Sequence, residues 1–147
     1  MHSAHSVKQC KVVFELTPNK SGYPPVNSEA LWAEQVGQSC YRIENIPFFV
    51  RGISPGDIVE ATEIDGELLF CKIKSSSDSS VLRVVGYNSN RLAELRRNLP
   101  AMGCSVEGDF VESLIAVEVL ANTSLKLILG VLQVGEKYGW WEFEEAS

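Results

Sequence analysis

The 147-residue chain is long enough for one medium domain or two small subdomains, and its 45% content of hydrophobic residues suffices for an ordinary buried core. Lys and Arg number 13 and Asp and Glu number 19, a net charge of -6, which disfavours a nucleic acid partner because phosphate binding requires a basic surface. A basic protein is the partner that this charge favours.

Alternating β-rich segments occupy the first half of the chain. KVVFEL from Lys11 is short and rich in β-branched residues, while EALWAEQV from Glu29 and CYRIENI from Cys40 alternate in hydrophobicity on either side of a break at Gly37. We expect the last two segments to form an antiparallel pair. Residues 1–10 are predicted to be a disordered or frayed N-terminus.

The strongest turn signal in the chain is Asp65-Gly66, which lies between two β-rich runs in DIVEATEIDGELLFCKIK. Asp and Gly tolerate the positive φ of a tight turn, so the pattern predicts a hairpin from about residue 58 to residue 74. The polar run SSSDSS at residues 75–80 is predicted to be a subdomain boundary. Residues 11–80 are therefore predicted to form a small antiparallel β unit, a partly closed barrel.

The segment YRIENIPFF concentrates aromatic residues around a proline. Strand alternation places Tyr41 and Ile43 toward a core, and Pro47 then interrupts the ladder because it has no backbone N–H. Phe48 and Phe49 are predicted to cap the end of the barrel or to fill the joint between the two subdomains. The alternative is an exposed aromatic anchor for a partner.

The second half of the chain contains two segments with helical periodicity. NSNRLAELRRNLPAMG offers Asn88 or Ser89 as an N-cap, and TSLKLILGVLQVGEKYG predicts a second helix that opens after Thr123 or Ser124. Strand-like runs precede, separate and follow the two helices. The order strand, helix, strand, strand, helix, strand predicts a ferredoxin-like βαββαβ unit over residues 81–147, and the whole chain is predicted to be an α+β protein.

The residues needed for most nucleophilic and metal chemistry are scarce. The two histidines, His2 and His5, lie in the predicted frayed start, so no catalytic site, metal site or cofactor is predicted from them. No Walker loop or G-x-G-x-x-G turn indicates a phosphate cradle. The four cysteines are far apart in sequence and are predicted to be buried free thiols in a reducing compartment: Cys10, Cys40, Cys71 and Cys104.

Three segments carry a family resemblance: LWAE at residues 31–34, YRIENIPFF at residues 41–49 and the GD-x-VEA element at residues 56–61. Through them the sequence resembles a bacterial family catalogued only as a domain of unknown function. The likeness continues through VLRVV, LIAVEV and WEFEEA, so that it covers nearly the whole chain. The resemblance implies a bacterial source and an intact domain, and it carries over no activity and no functional residues.

Acidic residues cluster between Asp57 and Glu67 with no intervening Lys or Arg. They create a local negative field that can steer a basic partner, and we predict that five of them bind it: Asp57, Glu60, Glu63, Asp65 and Glu67. Paired carboxylates also perform acid-base catalysis, but strand alternation points Glu60 and Glu63 to opposite faces. A solvated hairpin without a specific role is the remaining interpretation.

The C-terminal run WWEFEEA alternates as a strand does. Trp140, Glu142 and Glu144 are predicted to share one face, where an aromatic residue beside carboxylates is typical of a binding hot spot. One tryptophan of the Trp140-Trp141 pair is predicted to pack beneath the helices and the other to be exposed. Instead of binding a partner, the tryptophan that is not packed beneath the helices would cover the other face of an edge strand.

These patterns favour a non-enzymatic binding protein. The cytoplasm is the expected location, because the sequence shows neither a secretory signal nor an apolar run of membrane-spanning length. The most specific hypothesis is a bacterial immunity protein that neutralises a toxin domain, since toxins that cleave nucleic acid have basic active-site surfaces that an acidic inhibitor can cover. The alternative is a small-molecule-binding regulatory domain of ferredoxin-like type, by fold analogy. An enzyme that uses carboxylates alone is a third hypothesis.

Overall fold

The computed structural model describes residues 9–108 and 113–147, and it divides the chain into two compact units. The first contains the described residues up to Val50 together with Pro55–Ser77, and the second contains Arg51–Ser54 and Asp78–Ser147. The division differs from the predicted boundary at residue 80, because the short segment from Arg51 to Ser54 packs with the second unit. Of the predicted frayed N-terminus, residues 1–8 lie outside the described residues, whereas Gln9 and Cys10 already belong to the first strand.

The first unit is a closed five-stranded barrel. Consecutive strands pair antiparallel, and the barrel closes through a parallel pair of the first and fifth strands, at Val12 with Leu68 and Val13 with Leu69. The strands are β1 Gln9–Glu15, β2 Ser28–Gly37, β3 Cys40–Ile43, β4 Ile58–Ile64 and β5 Glu67–Ser75. The prediction of a partly closed antiparallel barrel was therefore wrong about closure: five strands of alternating direction leave the first and last parallel, and pairing them completes the cylinder.

Alternate residues of each strand fill the barrel. Val12 and Phe14 of β1, for example, are buried, and the Phe14 ring stacks on that of Phe70 with centroids 4.7 Å apart. The predicted antiparallel pair of β2 and β3 is confirmed, as is the predicted hairpin between β4 and β5. Asp65 and Gly66 form its turn, with φ angles of 54° and 84° that suit these two residue types.

A single carboxylate holds the aromatic bend that follows β3. Glu29 of β2 accepts backbone N–H groups from Phe48, Phe49 and Val50 at 2.8, 3.0 and 2.9 Å, so the chain turns around this side chain. Phe48 and Phe49 are half-buried, and the Phe49 ring meets the edge of the Tyr23 ring at a centroid distance of 6.1 Å. The two phenylalanines thus pack around a bend that Glu29 fixes.

The second unit is a four-stranded sheet with two α-helices. Its elements are β6 Ser80–Gly86, α1 Ser89–Asn98, a 3-10 turn Pro100–Met102, β7 Cys104–Glu107, β8 Leu114–Val119, α2 Leu125–Lys137 and β9 Trp141–Glu145. The strand order is β7-β8-β6-β9, and all neighbours are antiparallel. The predicted N-caps are found: Asn88 accepts from the Arg91 N–H and Ser124 from the Leu127 N–H. The chain is therefore a mixed α+β protein.

The core of this second unit lies between the helices and one face of the sheet. Leu92 and Leu95 of α1 and Ile128 and Leu132 of α2 pack in one cluster with buried aliphatic residues of β6 and β8. Trp141 of β9 joins this cluster. Within the described residues, no helix is both long and apolar enough to cross a membrane.

Candidate functional site

The predicted acidic residues of the first unit have different environments. Glu63, Asp65 and Glu67 are exposed around the β4–β5 turn, as predicted for a binding surface. Glu60 is half-buried and lies 3.8 Å from the Lys74 ammonium. Asp57 is only 3% exposed, and its carboxylate accepts the backbone N–H of Ser77 at 2.7 Å. This side chain holds the loop after β5, so little of it is accessible to a partner.

The exposed acids border an opening that we call the barrel mouth. At this end of the barrel β1, β3 and β5 begin and β2 and β4 end, so the inward-facing positions of all five strands converge. A pocket of about 420 Å³ results, lined by Cys10, Lys11, Gln35, Tyr41, Glu63, Gly66, Glu67 and Leu68. A pocket of this volume is within the usual range for ligand sites in proteins.

The inward-facing rows of the strands become polar as they reach the mouth. Along β4, Val59 and Ala61 are buried and Glu63, two residues farther, opens into the pocket. Along β2, Leu31 and Ala33 are buried and Gln35 lines the pocket. This change from apolar to polar on one face of several strands is the sequence signal that could have indicated the mouth, and only Glu63 and Glu67 of its lining were predicted as site residues.

Tyr41 is the most buried of the polar residues that line the mouth. It is 7% exposed, which agrees with its predicted position in the core, and burial raises the pKa of its hydroxyl, with smaller contributions from Cys10, Glu63 and Cys40. Among the described residues, its hydroxyl has no hydrogen-bond partner, although the side chain lines the pocket. An accessible hydroxyl without a partner in the described residues can form a hydrogen bond with a ligand.

Lys11 is the one basic residue in the described lining of the pocket, and its charge is held outside the barrel. Its ammonium lies 4.8 Å from the centroid of the Trp32 ring, which belongs to the outer face of β2 and is 45% exposed. Cation–π attraction favours this outward position of the ammonium. The mouth is therefore negative inside, where Glu63 contributes, and at its rim, where Glu67 is exposed.

The predicted C-terminal site is only partly available. Trp141 is the tryptophan that packs beneath the helices, 4% exposed, with its indole N–H donating to the Leu132 carbonyl at 2.8 Å. Trp140 precedes β9 and packs against the same core cluster, so it does not share a strand face with Glu142 and Glu144 in the way predicted. Glu144 is occupied, since it lies 3.0 Å from the buried Arg83 guanidinium and 2.8 Å from that of Arg51. Its carboxylate therefore takes part in two ion pairs within the second unit. Glu142 is exposed and raises the pKa of Tyr87 through a hydrogen bond.

Trp140 is half-buried beside a second, smaller pocket of about 270 Å³. Its ring centroid is 4.1 Å from the Arg91 guanidinium and 5.1 Å from the centroid of the Tyr138 ring. The rest of the lining is mostly apolar and comes from both α-helices, from Met102 of the 3-10 turn and from Trp141 of β9. This pocket belongs entirely to the second unit.

The cysteines are free thiols, as predicted, but they are not all buried. Cys104 is buried, and burial raises the pKa of its thiol. Cys10 and Cys40 are half-buried and Cys71 is exposed, because its position on β5 faces away from the barrel interior. Within residues 9–108 and 113–147, no three His, Cys, Asp or Glu side chains converge in a way that could hold a metal ion. His2 and His5 lie outside these ranges.

A family model for a domain of unknown function, DUF4265, matches residues 29–143, from β2 to β9. The chain belongs to this family. That result agrees with the expectation of an uncharacterised domain family. The DUF4265 chain is also similar to the crystal structure of a hypothetical protein from Neisseria gonorrhoeae, with a TM-score of 0.72, 17% identity, and coverage of 98% of this chain and 96% of that chain. At this identity the likeness concerns the fold alone. No curated protein matches the DUF4265 chain.

Proposed function

We propose that the protein is a non-enzymatic acidic domain that binds a basic protein in the cytoplasm, and that it acts as an immunity protein that neutralises a toxin domain. The observation that carries this proposal is the exposed group of carboxylates around the barrel mouth, Glu63, Asp65 and Glu67. Within the described part of the chain, no Lys or Arg lies within salt-bridge distance of these three side chains.

Charges without partners are the ones that a binding partner can use. Three carboxylates within five residues, in a chain of net charge -6, produce a field that attracts a cationic surface and accelerates association. Toxins that cleave nucleic acid carry such a surface around their active site, because they bind phosphates. A protein that presents carboxylates in place of phosphates would cover that surface.

The exposure of the predicted acids supports a smaller binding surface than the one predicted from the sequence. Asp57 and Glu144 are engaged within their own units, and Glu60 is close to Lys74, which leaves the hairpin tip as the strongest candidate. Glu142 remains exposed in the second unit beside Trp140. The variants that test the proposal are therefore placed at Glu63, Asp65 and Glu67.

The test uses the purified protein as bait in lysate of its own organism, with mass spectrometry, followed by co-expression with the toxin so identified. The variant Glu63→Lys/Asp65→Lys/Glu67→Lys should lose both the captured basic protein and the protection of growth. A matched variant with the same change of net charge at exposed acids elsewhere, Glu15→Lys/Glu136→Lys/Glu145→Lys, should retain both. Equal binding by the two variants would rule out the hairpin as the surface, and absence of any stoichiometric partner would argue against an immunity protein.

A second candidate function is a small-molecule-binding regulatory domain of ferredoxin-like type. The βαββαβ succession and the strand order β9-β6-β8-β7 support a ferredoxin-like assignment of the second unit. The pocket beside Trp140 favours a ligand, because an aromatic face and a mostly apolar lining are combined there with the Arg91 guanidinium.

A thermal-shift screen against amino acids and nucleotides tests the second candidate. A ligand of this pocket should raise the melting temperature of the original protein and should have a much smaller effect on Trp140→Leu. Trp32→Leu, which changes an exposed tryptophan of the first unit, is the control. If no compound stabilises the protein, the regulatory hypothesis loses its support.

A further inference from the structure

We propose that the barrel mouth binds a guanidinium group, presented by an arginine side chain of the basic partner. The pocket itself is argued from its geometry, while the protein source of the guanidinium rests on the function proposed above. The site consists of Tyr41 at the base, Glu63 on the inner face of β4, Gln35 on β2 and Glu67 at the rim.

The charge of the pocket selects a cation. Glu63 and Glu67 both line it, and the ammonium of Lys11 lies over the outer Trp32 ring, 4.8 Å from the centroid. An anion in the mouth would therefore be close to two carboxylates. A cation would gain charge-assisted hydrogen bonds with the carboxylates, and these are stronger than neutral ones.

Tyr41 is the independent observation that points to a ligand. The residue is 7% exposed and lines the pocket, and its accessible hydroxyl has no hydrogen-bond partner among the described residues. Burial raises the pKa of this hydroxyl, so that it remains neutral at physiological pH and does not add a negative charge. A neutral hydroxyl oxygen accepts a hydrogen bond from an N–H donor that enters the mouth.

The distribution of acceptors suits a planar cation with several donors. Gln35 uses its amide N–H to bind the Gly37 carbonyl at 3.2 Å, which leaves its amide oxygen as a further acceptor beside Glu63 and Tyr41. A guanidinium group has five N–H donors in a fixed plane and is weakly hydrated, so it can bind a carboxylate and a hydroxyl together. Its volume fits well within a pocket of about 420 Å³.

The probes for the experiment are Nα-acetyl-arginine amide and the corresponding citrulline compound, which has nearly the same shape and no charge. Titration into the ¹⁵N-labelled full chain, monitored by amide chemical shifts, should give saturable changes with the arginine probe at the mouth, for example at Gln35 and Leu68. The citrulline probe should give none. Tyr41→Phe should weaken binding of the arginine probe at least about threefold. Glu63→Gln should weaken it about tenfold or more, because this substitution removes a charged acceptor.

Glu15→Gln is the matched control, since Glu15 is an exposed carboxylate at the opposite end of β1, and it should bind the arginine probe as the original protein does. The inference is overturned if no shift saturates, if citrulline binds equally well, or if Glu63→Gln binds with unchanged affinity. The citrulline comparison needs no variant, so it decides the question even where a substitution disturbs folding.

Two further arms separate this inference from the proposed function. If a partner protein is captured through the hairpin carboxylates and binds Tyr41→Phe and the original protein equally, the proposed function stands and the guanidinium pocket is refuted. If the arginine probe binds and no partner protein is captured, the pocket stands and a free guanidinium compound, rather than a protein side chain, is its ligand. An arginine-containing peptide and methylguanidinium, compared directly, distinguish these two sources.

Discussion

Replacing Gly135 with alanine should destabilise the second unit, although alanine is the better helix former. A Cβ atom at Gly135 of α2 would lie well inside contact distance of the Trp141 ring. That ring is 4% exposed and donates a hydrogen bond to the Leu132 carbonyl at 2.8 Å, so it cannot move away without disturbing the core. The close approach of helix and ring therefore requires a residue without a side chain.

The expected change in the free energy of unfolding of Gly135→Ala is the sum of opposing effects. Overpacking of a core costs about 1–3 kcal/mol, and the strained indole hydrogen bond adds about 1 kcal/mol. The higher helix propensity of alanine returns about 1 kcal/mol. We expect Gly135→Ala to lower the free energy of unfolding by about 2 kcal/mol, with the loss of core packing as the dominant contribution.

Gly130 provides a matched control in the same helix. Beyond its chain neighbours and the backbone of its own helix, a Cβ atom there would have no described heavy atom within 4 Å, so Gly130→Ala gains helix propensity without a clash. This variant should be more stable than the original by about 0.5–1 kcal/mol. The two substitutions are chemically identical and should act with opposite sign.

Urea denaturation followed by far-UV circular dichroism measures both variants, because both described α-helices belong to the second unit. The midpoint of Gly135→Ala should fall by roughly 1 M for an m-value of about 2 kcal/mol/M. If Gly135→Ala were as stable as the original protein, the described contact between α2 and Trp141 would be refuted.

Three further substitutions test individual carboxylates. Glu29→Gln should lower the free energy of unfolding by about 1–2 kcal/mol in thermal denaturation, because it weakens the acceptor of three N–H groups from residues 48–50. Glu144→Gln should cost about 1–3 kcal/mol, because the buried Arg83 loses a charged partner at 3.0 Å. Burial raises the pKa of Glu118, so the stability that this carboxyl contributes in acid is lost as the pH rises through its folded-state pKa. Glu118→Gln should therefore stabilise the protein at neutral pH and have little effect in acid.

Exposed acids serve as controls for these variants. Glu15→Gln and Glu145→Gln should each change the free energy of unfolding by less than about 0.5 kcal/mol. If Glu29→Gln or Glu144→Gln fell within this range, the structural roles given to these two carboxylates would be incorrect. For Glu118→Gln, a stabilisation of equal size at acid and neutral pH would contradict a raised pKa.

Local signals in the sequence were sufficient for much of the secondary structure. The Asp65-Gly66 turn and the N-caps Asn88 and Ser124 were predicted because each depends on residues within a few positions of itself. Barrel closure was not, because Val12 and Leu68 are separated by most of the first unit and no local pattern records their pairing. The division into two units differed from the predicted boundary because Arg51–Ser54 belongs with residues that are distant in the sequence.

The sequence predicted the acidic residues of the candidate site, but it did not predict the pocket at the barrel mouth. The acids of the hairpin are recognisable from composition. The hydrogen bond that Asp57 accepts from the Ser77 N–H is not, because the two residues are twenty positions apart in the sequence. Tyr41 was correctly placed in the core, yet its position at the open end follows from the register of five strands. Pockets at the ends of barrels depend on such registers, which a single sequence does not specify.

The parallel pairing of β1 with β5 also affects how the chain emerges during synthesis. Until Glu67–Ser75 has left the ribosome, the first strand lacks one of its two neighbours, and the nascent sheet has an open edge on β1 and another on its most recent strand. Open edges are templates for pairing with other chains. The fifth strand removes both edges at once, so the first unit presents open edges for misassembly only until that strand has paired.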